Sequence, residues 1–442
     1  MPCLRAVIRL AQEMDQLLGR GSLLFGALSP KSIRTSRENN LEMTDTACLP
    51  STRSEALARL DDFLPVVPHY ANQRNQVVPG NTNLSRLSPA TRTRLILERE
   101  ICETVARAHP PAAREKFEQE VWWRLYWKGW LEQRPSVWKD YRTDLQHIRW
   151  TDRAEEVAAG ESGVAIMDHF AKELIADGYL ANHARMWWAS FWIHVEGLPW
   201  QLGADFFLRH LRDGDAASNT LSWRWVAGLH TRGKAYLVRR SNLERYVEPG
   251  LLRANIVGLE KLEDTAEKTH EFVPPPSPKP ISYPTETPAS GNIGIWIHDE
   301  DLLPEDSPLK ELAPASVCAP SPVGIWDREN YSPEKQQFLK SALQDGCRRA
   351  GDHFGLTVEQ SDSEQLIPFL TDWAVRNSLS AVITMRPFVG PLTEIWQDLE
   401  ASLSGENIEL IGLRRADDIA AMNPATAGFF GFWKKTISLR EN

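Results

Sequence analysis

The run from Asn182 to Trp225, NHARMWWASFWIHVEGLPWQLGADFFLRHLRDGDAASNTLSWRW, constrains this chain most, because it places charge, amides and indoles inside helical periodicity. An ordinary helical core is aliphatic. One that mixes Arg185, Asp213, Asp215 and Asn219 with Trp188, Trp192, Trp200, Trp223 and Trp225 must satisfy polar groups wherever it buries them, and is built around something. Asp213 and Asp215 stand just before Ala216 and Ala217, the pattern of one helix ending and the next beginning, where a carboxylate caps the second helix. Taken alone, the pair is a plain N-cap beside a solvated neighbour. The surrounding tryptophans point instead to carboxylates that also serve a ligand.

From Arg53 to about Leu262 the pattern is helical, with long amphipathic stretches at Ala113–Glu132 and Val164–Gly178. At Val273 the composition turns to VPPPSPKPISYPTETPASG, whose prolines remove donors and fix extended backbone, so 263–291 is a semi-rigid linker. Beyond it the period changes. Short apolar runs at Ile293–Ile297, Val323–Trp326, Leu356–Glu359, Ala381–Met385 and Ile408–Leu413 alternate with helical stretches at Glu334–Ala350, Glu364–Asn377 and Leu392–Leu403, which predicts a parallel sheet covered by helices over 292–442. No Gly-x-Gly-x-x-Gly turn follows the first strand, so this half reads by itself as a structural α/β domain. Residues 1–52 read as a disordered leader, with Met43 a candidate start.

The 442 residues suggest two or three domains, and 17 tryptophans exceed what packing requires. A net charge of -9 argues against indiscriminate nucleic-acid binding; Arg224, Arg232, Lys234, Arg239, Arg240 and Arg245, opposed only by Glu244, read equally as a local basic groove or a solvated loop face. Five scattered cysteines fit a reducing cytoplasm, and no run approaches the roughly 20 apolar residues of a membrane span.

These motifs together resemble the photolyase and cryptochrome family, in which an Asn-x-x-Arg-Met turn, an Asp-Gly-Asp turn and an Asn-x-x-x-Trp-x-Trp run surround the isoalloxazine ring of FAD. The resemblance implies an all-α FAD-binding domain at 53–262. GNIGIWIHDEDLLPEDSPLKE (291–311) resembles the first strand and helix of the family's Rossmann-like antenna domain, and FFGFWKKTISL (429–439) the segment that closes it. The order of the two domains is the reverse of the family's, as in a circular permutant, which an exposed linker permits. No antenna chromophore is implied by any residue that stands out.

The resemblance also implies roles. YANQRNQVVPGNTNLSRLSP (70–89) is similar to the phosphate-holding loop and carries over Tyr70, Ser85, Leu87 and Ser88; Leu84 departs from the small hydroxyl residue expected there, and Ser88-Pro89 reads also as an N-cap followed by proline. EQEVWWRLYWKGW (118–130) places Arg124 near the cofactor and Glu120 and Trp123 on one helical face toward a lesion. Asn182 and Met186 would face that lesion, being the residue types of the pyrimidine-dimer class. Arg185 would pair with Asp213 over the flavin, Asp215 would accompany it, Asn219 would approach flavin N5, and Trp225 would form the second aromatic wall. Trp223 and Trp200 fall on the first two members of the family's tryptophan electron route, whereas Glu156 occupies the third; Trp150, Trp188 or Trp192 could complete it. After Trp225 the family's usual segment is absent, with SNLERYVEPGLL (241–252) its nearest counterpart. The function implied is a deoxyribodipyrimidine photolyase, a monomeric cytoplasmic lyase that splits cyclobutane pyrimidine dimers in DNA with light-excited reduced FAD. The alternatives are a cryptochrome-like blue-light photoreceptor and a flavin scaffold without light chemistry.

Overall fold

Tertiary packing crosses the Pro-rich segment rather than stopping at it. The computed structural model describes residues 49–231, 233–287 and 291–441, which belong to one compact unit. The expected leader and Met43 start fall largely on 1–48, outside the described residues; of its last residues, Leu49 is buried and Thr52 closes a capping box with Glu55 on the helix Arg53–Phe63. Residues 49–52 are therefore part of the fold.

The helical region follows the amphipathic pattern. Its main elements are α1 (Pro111–Glu132), α2 (Asn182–Ser190), α3 (Trp200–His210) and α4 (Ala216–Val226). α2 runs on into a π-helical turn at Phe191–Val195, in which Phe191, Trp192, Ile193 and His194 are buried. α3 crosses α4 closely: a Cβ on Gly203 would lie 2.3 Å from the Trp223 ring, so only glycine fits. The Pro-rich stretch lies against the body, with Lys279 donating to the Gln133 carbonyl and Ile281 to the Asn423 amide oxygen.

Beyond it, β1 (Ile293–Trp296), β2 (Ser316–Cys318), β3 (Val358–Glu359), β4 (Ala381–Met385) and β5 (Glu409–Leu413) form an all-parallel sheet in the order β3-β2-β1-β4-β5. The strand period of two decides what each face covers. Ile293, Ile295, Val317 and Ile383 point into a core shared with Ala342, Leu343 and Cys347, whereas Trp296, Cys318 and Val382 point into one shared with Leu370, Trp373 and Leu399.

One expected strand is wrong. Val323–Trp326 is the start of the helix Val323–Arg328, and the second strand is Ser316–Cys318 instead. Pro322 leads into a helix start, and Gly324 lies so close to the Glu364 carbonyl that a Cβ would meet it at 1.9 Å; the true strand has three residues hidden between prolines.

The first core also takes in Ala56, Leu60, Phe63, Tyr70, Ile96 and Phe117, so the earliest helices pack on the sheet as well as on α1. Buried ion pairs tie these regions together, Arg92 to Asp299 at 2.8 Å and Arg94 to Asp418 at 2.7 Å, and within the sheet region Arg415 chelates Asp301. Toward the C-terminal end, Ala416–Met422 and α5 (Phe429–Lys435) both pack on α1, and a short helix Ser438–Glu441 follows.

Candidate functional site

Asp215 caps α4, its carboxylate accepting from the Ser218 amide at 2.8 Å, and it also receives Arg124 from α1. Two residues earlier, Asp213 is 3% exposed and accepts from Arg185 of α2 at 3.1 and 2.9 Å and from the Ser88 hydroxyl at 2.6 Å. Three distant segments, the Ser88 loop, α1 and α2, therefore converge on one turn. Burial alone would raise both aspartates, but Arg185 and Arg124 hold Asp213 below the usual carboxylate range, and Arg124 with Lys128 does the same for Asp215.

Around this turn the structure sets out a ring of polar groups. Arg185 Nε also donates to the Leu180 carbonyl at 2.7 Å, and the guanidinium groups of Arg86 and Arg185 each lie 5.3 Å from the Tyr179 ring centre. Arg86 adopts φ 56°, a left-handed conformation uncommon for a residue other than glycine. Asn219 is buried and donates to the Ala204 carbonyl at 2.7 Å. Ser218 Oγ and Trp223 Nε1 are buried without a protein partner. Orphaned polar atoms beside two charged pairs fit a flat ligand carrying its own donors and acceptors.

The 70–89 loop differs from its expected detail. Ser88 is the first residue of the five-residue helix Ser88–Arg92 rather than its cap, because its hydroxyl is taken by Asp213. Leu87 holds the cap position and is buried; Ser85 is partly buried and accepts weakly from Leu87 N at 3.5 Å. Tyr70 packs edge-on against Phe63 and Phe117 in the core shared with the sheet.

Of the residues expected to face a lesion, Glu120 meets Arg74 at 2.8 Å with its side chain 27% exposed. Burial raises its carboxyl, and Arg74 only partly offsets this, so protonation is easier than for an ordinary glutamate. Trp123 lies flat on Phe429 of α5, ring centres 3.9 Å apart and planes 8° apart, so one indole face is covered by protein. Asn182 is exposed and its amide lies 3.6 Å from the partly buried Met186 sulfur. Trp225 stacks on Tyr236 at 5.6 Å. Trp200 stacks on Tyr141 at 5.5 Å, and Glu156 pairs with Arg153 at 3.0 Å. Of the basic cluster, Arg232 lies outside the described residues, and Arg240 is held by Glu244 and Glu263.

Sequence reasoning missed Arg74, Arg86, Tyr179 and the contact made by Phe429. A basic residue four positions after Tyr70 and an Asn-Leu-Ser-Arg turn were visible signals for the first two; Phe429 on Trp123 spans more than 300 residues and has no local signature.

Residues 117–249 match the model of the FAD binding domain of DNA photolyase, so the chain carries a domain of that type. A deoxyribodipyrimidine photo-lyase of Streptomyces griseus is 36% identical over 151 residues, 33% of this chain and 32% of that one. The mitochondrial deoxyribodipyrimidine photo-lyase of Saccharomyces cerevisiae is 31% identical over 204 residues, 43% and 36% of the two chains. The chain thus spans about a third of the length of these relatives. The crystal structure of a bacterial class III photolyase from Agrobacterium tumefaciens aligns over 53% of each chain at 25% identity, with a TM-score of 0.41. No helix among the described residues is long and apolar enough to cross a membrane.

Proposed function

We propose that this protein is a light-dependent DNA repair photolyase that splits cyclobutane pyrimidine dimers, built as a circular permutant with the FAD-binding helical domain (53–262) ahead of the α/β antenna-type domain (292–442). The observation that carries this reading is the Asp213-Gly214-Asp215 turn, held by Arg185 and Arg124 inside the segment that matches a photolyase FAD binding domain. FAD, when bound, supplies light absorption and one-electron transfer.

The chain's own residues do the rest. Arg185 and Asp213 keep a compensated charge pair beside the ring, and Asn219 presents an amide fixed by Ala204. Tyr70, Ser85, Leu87 and Ser88 form the phosphate side. A dimer flipped out of the strand lies between Trp123 and Trp225, with Asn182 and Met186 on its flank. Glu120, whose burial favours the protonated form, donates to a dimer carbonyl as negative charge develops there. Trp223 and Trp200 are assigned to electron supply. We assign DNA containing pyrimidine dimers as substrate, a monomer as the working unit and the cytoplasm as its location.

The test is repair of irradiated oligonucleotide under blue light, with Glu120→Ala alongside. Repair by the wild type and its loss in the variant support the assignment; full activity in the variant refutes the role of Glu120. A cryptochrome-like photoreceptor is the second reading, favoured by Phe429 lying over the Trp123 face that a lesion would need. Binding of dimer-containing DNA separates the two.

A further inference from the structure

The two faces of α5 have different surroundings. Phe429, Phe432 and Trp433 form the inner one, buried against Trp122 and Trp123 of α1. The outer one faces solvent: Phe430 is 57% exposed, and Gly431, Lys434 and Lys435 are exposed beside it. Phe430 and Lys434 stand one helical turn apart, and Ile437, half exposed two residues past the helix, continues the same face. A Cβ on Gly428 or Gly431 would meet nothing within 4 Å, so the Phe430 ring stands between two bare backbone positions.

Charge here runs against the rest of the chain. The net charge is -9, yet no acid lies between Asp418 and Glu441, a stretch that holds Lys434, Lys435 and Arg440. Arg440 folds back over the Trp433 ring, 3.1 Å from its centre, and belongs to the inner packing. The ammonium groups of Lys434 and Lys435 make no ion pair or hydrogen bond with the described residues. Two uncompensated cations therefore flank an exposed phenyl ring.

That ring adjoins the residues assigned to the lesion. Phe430 meets Phe429 edge-on, ring centres 5.7 Å apart, and Phe429 lies flat on Trp123 at 3.9 Å. A helix that lies on a bilayer keeps a broad apolar face apart from its charged one. In α5 the broad apolar face is occupied by α1, and the remaining surface sets an ammonium one turn from an aromatic ring. A nucleic-acid strand offers partners for both, a phosphate for the ammonium and a base face for the ring.

We propose that the outer face of α5 carries a DNA strand alongside the site, with Phe430 stacking on a base and Lys434 and Lys435 holding the phosphates that flank it. The inference deepens the proposed function and rests on DNA being the partner. This part of the interface comes from the end of the chain, not from the helical region assigned to the cofactor. Stacking tolerates any base and phosphates are uniform, so the contact holds damaged and undamaged strands alike and leaves discrimination to the pocket between Trp123 and Trp225.

The test is fluorescence anisotropy of an undamaged, fluorescein-labelled oligothymidylate with the full-length protein in the dark, over a series of salt concentrations. Phe430→Ala weakens binding by about tenfold, and Phe430→Trp keeps it. Lys434→Gln with Lys435→Gln lowers the slope of log affinity against log salt by about 1.4, two contacts at roughly 0.7 each. The same pair of changes at Lys310 and Lys340 of the sheet region removes equal charge and leaves the slope as in the wild type. All the substituted α5 side chains are exposed, so melting temperatures stay at the wild-type value. Wild-type affinity and slope in the α5 variants, with the wild type bound, overturn the surface and leave DNA as the partner. A wild type that binds no oligonucleotide overturns both. Binding to phosphatidylglycerol vesicles that depends on Lys434 and Lys435, without binding of the oligonucleotide, overturns the proposal in favour of a lipid surface.

Discussion

The turn at Asp213–Asp215 and the segments of Glu120, Trp123 and Asn182, which we assign to one site as its floor and its rim, are built differently. In the turn every charge has a partner: Arg185 and Ser88 on Asp213, Arg124 on Asp215. At the rim Glu120 has one partly exposed arginine, Trp123 one covered face and Asn182 a thioether. Charges taken fully out of water need complete compensation, whereas groups left partly wet can change partners cheaply. The contrast suits a floor that holds a permanent ligand and an edge that meets a transient one.

Breaking the floor gives the largest effect. Asp213→Ala strands the Arg185 guanidinium and the Ser88 hydroxyl, and we expect a loss of about 3 kcal/mol in urea unfolding together with loss of FAD from titrations. Arg185→Leu combined with Asp213→Leu recovers part of the stability but not the cofactor. The acid limb follows the same logic. Because Asp213 titrates below the ordinary value of about 3.9, its stabilisation is fully present above that pH and is lost as pH falls through its folded-state value, so a melting series at acid pH flattens in the double variant.

Next comes the closure of the rim. Phe429→Ala removes a buried ring from the Trp123 stack and costs about 3 kcal/mol by the usual scale for core aromatic truncation, yet it frees the indole face. Tighter binding of dimer-containing oligonucleotide despite the lower melting temperature would show that α5 limits access; equal or weaker binding would show that it does not. Within the rim, Glu120→Gln keeps a donor where Glu120→Ala has none, so repair falls by about 100-fold in the alanine variant and by much less in the glutamine variant.

Smaller still is a change behind the floor. A cavity of about 20 Å³, room for one water, is lined by Asp215, Lys128, Glu300 and Phe388. Lys128 is buried over the Phe388 ring at 3.8 Å, and burial pulls its pKa down to about 8 despite Asp215 nearby. Its folded-state value lies below the unfolded value of about 10.4, so it weakens the fold below pH 8 and that penalty fades as pH rises toward 10.4. Lys128→Met is expected to raise the melting temperature at pH 7 and to remove this alkaline rise, by on the order of 1–2 kcal/mol.

What the sequence made legible is what depends on near neighbours. A carboxylate before Ala216-Ala217 announced the Asp215 cap, and alternating apolar runs announced a parallel sheet. Ser316–Cys318 was illegible because three residues between prolines carry too little pattern, and Val323–Trp326 misled because a helix start can be as apolar as a buried strand. Contacts made by docking were hidden for another reason. Arg74 on Glu120, Phe429 on Trp123 and Trp150 on Trp192 join segments 42 or more residues apart, and no local propensity encodes them.

The decisive measurement is the visible absorption spectrum of the purified protein beside that of Asp213→Ala. We expect one FAD per wild-type chain and a pale, cofactor-poor variant that still folds. A colourless wild type that melts cooperatively and binds no added FAD would contradict the assignment of the turn as a flavin floor.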